Sequence, residues 1–208
     1  MRKNRKENYL RIRRLRRTEL PTDTLEMARY LIGKTLVREL PRSRLSGRIV
    51  ETEGYPVGDA AGHSFCGETP SIASLFLPQG HAYVYFTYGS CFMMNVSSET
   101  RGVGAGVLIR ALEPLEGIPY MQRRRGTRRL HDLTRGPGRL AQAMRIDRTL
   151  DGLNLCSGGK KIWLGDSVRT TGPVGVSVRI GINREVDRLY RFYERGDPHV
   201  SGLKRMRE

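Results

Sequence analysis

Two stretches of the chain gather side chains with chemical capacity. In the first, Glu51, Glu53 and Tyr55 alternate with Val50, Thr52 and Gly54, and His63 follows a short way on. In an extended strand, residues two apart share a face, so the two carboxylates and the phenol point the same way. Carboxylates beside an aromatic ring can hold a general base. An exposed strand face carries the same residue types with no chemistry attached, and the spacing alone does not decide between the two. The second stretch runs from His81 through Tyr83, Val84, Tyr85 and Phe86 to Tyr88 and Gly89. Tyr83 and Tyr85 share one strand face, while Val84 and Phe86 face the opposite way, towards a core. Tyrosine rings stack on flat ligands such as nucleobases while their hydroxyls reach polar partners; a strand buried on both sides accounts for them equally well. Tyr88 falls at the tip of an expected turn, where a core does not cover it, and its placement suits a wedge pushed between stacked bases. His63 shares its loop setting with Glu53 and Tyr55 nearby. His81, His131 and His199 are read as structural.

The elements that must position these residues follow from pattern. A helix is expected from a cap at Asp23 or Thr24 through Ile32, with Leu25, Ala28 and Ile32 at helical spacing and Gly33 ending it. Strands are expected at Thr35–Leu40 and from Gly47 to Glu53, joined by a Pro41-Arg42-Ser43-Arg44 turn. A long Gly-, Pro- and Ser-rich loop spans Pro56 to Pro78, a length that in a compact domain tends to be functional. Ala82–Thr87 and Cys91–Val96 read as two strands of a hairpin around Tyr88-Gly89-Ser90. Further strands are expected at Gly106–Glu113, Lys161–Leu164, Val174–Ile180 and around Phe192. A basic loop is expected at Arg123–Arg129, and a helix from Arg139 to Met144 after Gly136-Pro137-Gly138. The alternation of many strands with few helices, without an internal repeat or linker, predicts a single α+β domain with a largely antiparallel curved sheet and surface helices. Residues 1–17 are read as a basic, mobile N-terminal arm, residues 18–208 as the domain, with regular structure starting near Thr22.

The 208 residues carry a formal net charge of +16 from 37 Lys and Arg against 21 Asp and Glu, which predicts attraction to a polyanion. Cys66, Cys91 and Cys156 form neither a CxxC pair nor a His/Cys cluster, so neither a disulfide framework nor a metal site is expected. A reducing compartment follows, the cytoplasm and nucleoid of a prokaryote or the nucleus of a eukaryote. No apolar run is long enough to span a membrane, and the basic start lacks the apolar segment of a secretory signal. A monomer is the default expectation.

The ordered motifs resemble the alkyladenine (3-methyladenine) DNA glycosylase family. They are Arg48-Ile49-Val50-Glu51-Thr52-Glu53-Gly54-Tyr55, Ala61-Gly62-His63-Ser64, the Gly80–Gly89 stretch with its three tyrosines, and Met94-Asn95-Val96. Leu108–Gly117, Gly136-Pro137-Gly138-Arg139-Leu140, Arg191–Gly196 and Val200-Ser201 continue the likeness, which runs from roughly Leu20 to Gly202.

The resemblance implies a monofunctional DNA glycosylase that flips alkylated or deaminated purines from duplex DNA and hydrolyses the N-glycosidic bond without metal or organic cofactor. It implies that Glu53 is the general base and that Arg110 stands beside the catalytic water. Tyr55, His63 and Tyr85 would wall the base pocket, with Tyr83 in the same tyrosine run, and Asn95 would exclude guanine at the pocket edge. A protruding hairpin would carry Tyr88 into the minor groove. Arg123, Arg124, Arg125 and Arg139 are the candidates for phosphate contacts. The chain departs from the family at Ser71–Phe76 and at Ser90-Cys91, which bears on DNA affinity and lesion range. Two other readings compete: a glycosylase/lyase using a lysine amine, and a non-catalytic minor-groove protein that senses lesions.

Overall fold

A computed structural model describes residues 10–87, 89–159 and 161–202. Its frame is an antiparallel sheet in which β2 (Ser43–Tyr55) is the central strand. The path β3-β4-β5-β2-β1-β6 is formed by β1 (Thr35–Leu40), β3 (Ala82–Thr87), β4 (Cys91–Ser97), β5 (Gly106–Glu116) and β6 (Ile162–Gly165). β7 (Val174–Ser177) pairs with β8 (Arg191–Glu194), and β8 pairs with β2. This is the α+β architecture expected from the strand pattern.

β2 changes neighbour halfway along. Its first half, Ser43 to Arg48, pairs with β1, and Glu51 to Glu53 pair with β8, while β5 runs along the other edge. The register against β5 shifts between Ile49 and Thr52, an irregularity that bends the strand and re-aims its side chains. Both faces of β2 are consequently covered, and Arg48 through Glu53 are all buried.

Among the described residues, three α-helices close over the sheet. Asp23 caps α1 (Thr24–Tyr30), its carboxylate accepting the Leu25 and Glu26 backbone N–H groups at 2.9 and 2.8 Å. Met27, Ala28 and Leu31 pack from α1 into a core that also holds Leu36, Ile49, Ile109, Leu112 and Leu164. Gly54 lets α1 lie close to β2, since a Cβ there would stand 2.7 Å from Leu25 Cδ2. α2 (Ile118–Arg125) and α3 (Pro137–Ala143) pack on one another, each with a proline in its first turn.

Four expectations are corrected. Arg123 to Arg125 belong to the last turn of α2, not to a loop; α2 buries only Met121, so its apolar stripe is too thin to see against the arginines. The second helix of this region starts at Pro137 rather than Arg139. The strand expected over Val174–Ile180 stops at Ser177, because Arg179 and Ile180 turn onto the end of β2. Finally, the part of the N-terminal arm from Leu10 to Arg17 packs against β6: Leu15 is fully buried and donates its N–H to Leu164 O at 3.0 Å, and Arg13 pairs with Glu19 and Asp166. A run read as uniformly basic thus hides one core leucine. The remaining arm residues and Tyr88 lie outside the described residues.

Candidate active site

The bend in β2 delivers Glu51 and Glu53 to one buried layer, both with no solvent exposure. An exposed strand face is therefore excluded. Arg110, from the middle of β5, lies between them: its Nε donates to Glu51 Oε1 at 3.1 Å and its Nη1 to Glu53 Oε2 at 3.0 Å. Glu53 Oε1 accepts the Ile180 backbone N–H at 2.7 Å, and Oε2 also accepts the Tyr55 hydroxyl at 3.0 Å. Glu51 accepts from Arg191 Nε at 2.7 Å, from Ser201 N at 2.6 Å and from Ser201 Oγ at 2.9 Å. Burial works against ionisation of Glu51, but Arg110 and Arg191 outweigh it and hold its carboxyl below the usual carboxylate range. Burial likewise works against the Arg110 charge, and Glu53 and Glu51 outweigh it. Burial first, then the Glu53 charge beside it, push the Tyr55 phenol well above its ordinary value, so it remains a proton donor to Glu53.

Above this layer is a cavity of about 620 Å³, lined by Tyr55, His63, Tyr83, Tyr85, Asn95 and Arg110, with Ile180 to Arg184 forming another wall. Its size suits a small organic ligand. Tyr83 and Tyr85 are stacked, with ring centroids 5.1 Å apart and planes 19° apart. The His63 ring meets the Tyr85 ring edge-on at 4.5 Å, and its Nδ1 lies 2.8 Å from the Tyr83 hydroxyl. Burial pushes His63 below its ordinary pKa, which favours the neutral ring, and raises the Tyr83 phenol. Asn95 pairs with Tyr83 across β3–β4 and with Leu108 across β4–β5, which places it at the cavity floor. Glu53 is not itself a wall of the cavity. It sits one layer below, reached through the Tyr55 hydroxyl and the Arg110 guanidinium.

The sequence-predicted residues therefore divide. Glu53, Arg110, Tyr55, His63, Tyr83, Tyr85 and Asn95 come together. Arg123, Arg124, Arg125 and Arg139 stand apart on α2 and α3, where Arg124 Nε donates to Gln142 O at 2.9 Å and Arg139 lies 3.8 Å from Asp132. Several residues of the site had no local signal. Arg179 covers the Tyr55 ring at 4.6 Å while paired with Asp59, and it holds Gly54 O at 3.0 Å. Ile180, Arg191 and Ser201 come from far along the chain, and only the family motifs Arg191–Gly196 and Val200-Ser201 pointed at two of them. His199 pairs with Asp197 at 3.0 Å and its ring lies 4.9 Å from that of His131, outside the cavity. Among the described residues, no group of three or more His, Cys, Asp or Glu side chains is placed to hold a metal ion, and no helix is long and apolar enough to cross a membrane.

A family model described as methylpurine-DNA glycosylase matches residues 18–198. A protein of Mesorhizobium japonicum is 60% identical over 192 residues, covering 92% of each chain. One of Paraburkholderia phytofirmans is 50% identical over 201 residues, covering 97% of this chain and 94% of its own. One of Chlorobium phaeovibrioides is 45% identical over 181 residues, covering 86% and 91%. All three bear the provisional name of 3-methyladenine DNA glycosylase.

Proposed function

This chain belongs to the methylpurine-DNA glycosylase family and is a hydrolase of N-glycosyl bonds in DNA; we propose that it flips an alkylated purine into the tyrosine-lined cavity and hydrolyses it off with a water activated by Glu53. The observation that carries this reading is the position of the Glu53 carboxylate directly beneath the cavity, bonded to two of its walls, Tyr55 and Arg110. An ionised carboxylate offers about four acceptor sites. Ile180 N–H, Tyr55 and Arg110 occupy three of them, which leaves one for the attacking water.

In this mechanism the water oxygen attacks C1′ of the sugar as the bond to the purine nitrogen breaks. The electron pair leaves with the base and Glu53 takes the water proton. General-base assistance of this kind supplies roughly 10²–10⁴ in rate, and the carboxylate also stabilises the cationic sugar. A 3-alkylated adenine already carries positive charge, so it departs without an acid. Extrusion costs a few kcal/mol, and stacking on an aromatic returns about 1–3 kcal/mol per base. Tyr55 on one face and Tyr85 on the other supply that stacking, His63 hydrogen-bonds nearby, Asn95 screens the base edge, and Tyr88 fills the gap left in the duplex. Direct hydrolysis is favoured over amine attack because no lysine among the described residues lines the cavity.

The test is release of 3-methyladenine from alkylated duplex DNA in EDTA, by wild type and by Glu53→Gln. Release by wild type alone supports the assignment. Turnover retained by Glu53→Gln overturns Glu53 as the base, and tight lesion binding without release by either protein supports a lesion sensor.

A further inference from the structure

The strands that present the tyrosines have a second face. Along β3, Val84 is fully buried on the side opposite Tyr83 and Tyr85, but Phe86, two residues on, has run past the core and is 55% exposed. It pairs with Phe92 of β4, with ring centroids 5.1 Å apart. These rings line a second cavity, of about 630 Å³, whose other walls come from α2 and α3. Around it stand Arg124, Arg125, Arg135, Arg139 and Arg145, against Asp147, which is engaged with Thr149, and Asp132, 3.8 Å from Arg139. Arg145 holds a left-handed backbone, φ 53°, just past the end of α3, where glycine is the cheaper residue. The two cavities meet at Met93 and Pro137, which line both.

An exposed aromatic floor rimmed by guanidinium groups matches one chemistry, a nucleotide with its base on the ring and its phosphates on the arginines. The β3–β4 pair is a wall between two such places. When a duplex is opened across that wall, a nucleotide that enters the tyrosine side leaves its former partner facing the phenylalanine side. We propose that this second groove binds the undamaged strand, stacking the orphaned base or its neighbour on Phe86 while Arg124, Arg125 and Arg139 hold the adjoining phosphates. The proposal rests on the reading that the tyrosine cavity takes the extruded nucleotide. It gives the enzyme a grip on both strands, and with it a sensitivity to what lies opposite the lesion.

The experiment compares wild type, Phe86→Ala and Phe86→Trp for affinity towards an oligonucleotide with a tetrahydrofuran abasic analogue, as a duplex and as the same single strand. Phe86 is exposed, so the alanine variant should fold. Phe86→Ala is expected to weaken duplex binding by about 5- to 150-fold, the stacking of one base, with single-strand affinity unchanged and with Phe86→Trp restoring the duplex value. Equal losses on duplex and single strand place the groove on the lesion strand and overturn the proposal, as does no loss on either. Release of 3-methyladenine by the same wild-type preparation reports separately on the proposed function. If that release fails while Phe86→Ala still loses duplex affinity selectively, the groove stands without the glycosylase reading of the cavity.

Discussion

Replacing Glu51 by glutamine keeps the side-chain volume and removes one buried charge. The structure makes the cost calculable, because both oxygens of Glu51 act only as acceptors. Oε1 receives Arg110, Arg191 and the Ser201 hydroxyl, and Oε2 receives the Ser201 backbone N–H. Whichever way the amide is turned, its NH₂ meets a donor, and two guanidinium groups lose the charge between them. Breaking a buried ion pair from one side costs about 3–5 kcal/mol, a large share of the roughly 5–15 kcal/mol that holds a typical domain. At about 2–4 °C per kcal/mol for a chain of this size, Tm should fall by about 6–20 °C. Urea denaturation followed by circular dichroism measures the loss, with the slope against denaturant showing whether the unfolded state has changed. A loss below about 1 kcal/mol at unchanged slope would refute the argument, since the two arginines would then not depend on Glu51 for their countercharge.

The arginines and His63 support further predictions. Arg124→Ala and Arg139→Ala should each flatten the plot of log affinity against log salt by about 0.9 if each neutralises one phosphate; an unchanged slope in titrations with undamaged duplex removes that arginine from the interface. His63 has its pKa lowered by burial, so the unfolded chain takes up its proton more readily than the folded one. Its contribution is therefore complete above the ordinary histidine value of about 6.5 and declines as pH falls below it. Stability measured between pH 7.5 and 5 should fall less steeply in His63→Phe than in wild type, and parallel curves would contradict this.

How much could be read from residues alone depended on the range of the interaction. The alternation around Glu51, Glu53 and Tyr55 located the strand that carries the buried carboxylates, and the tyrosine run located another strand that lines the cavity, because period-two patterning is local. That both faces of β2 are buried was not legible, since β8 reaches it from some 140 positions away, as the Glu51–Arg191 bond does. The clamp of Arg179 and Asp59 on Tyr55 was hidden for the same reason, each partner looking like an ordinary surface charge. α2 was missed because its composition is that of a loop, and Leu15 because one apolar residue among arginines has no periodicity. The motif resemblance reached further than the physics of single segments, and it singled out Glu53 from Glu51, which alternation treats alike.

The lateness in the chain of Ile180, Arg191 and Ser201 has a consequence for protein synthesis. Domains form as the ribosome extrudes them, beginning from the amino end. Until those residues emerge, Glu51 lacks Arg191 and both Ser201 donors, Glu53 lacks the Ile180 N–H, and the stretch from Glu51 to Glu53 lacks its β8 partner. The surroundings of the two carboxylates are therefore among the last features to be set, and a translation product ending before Arg191 should release no bases from DNA.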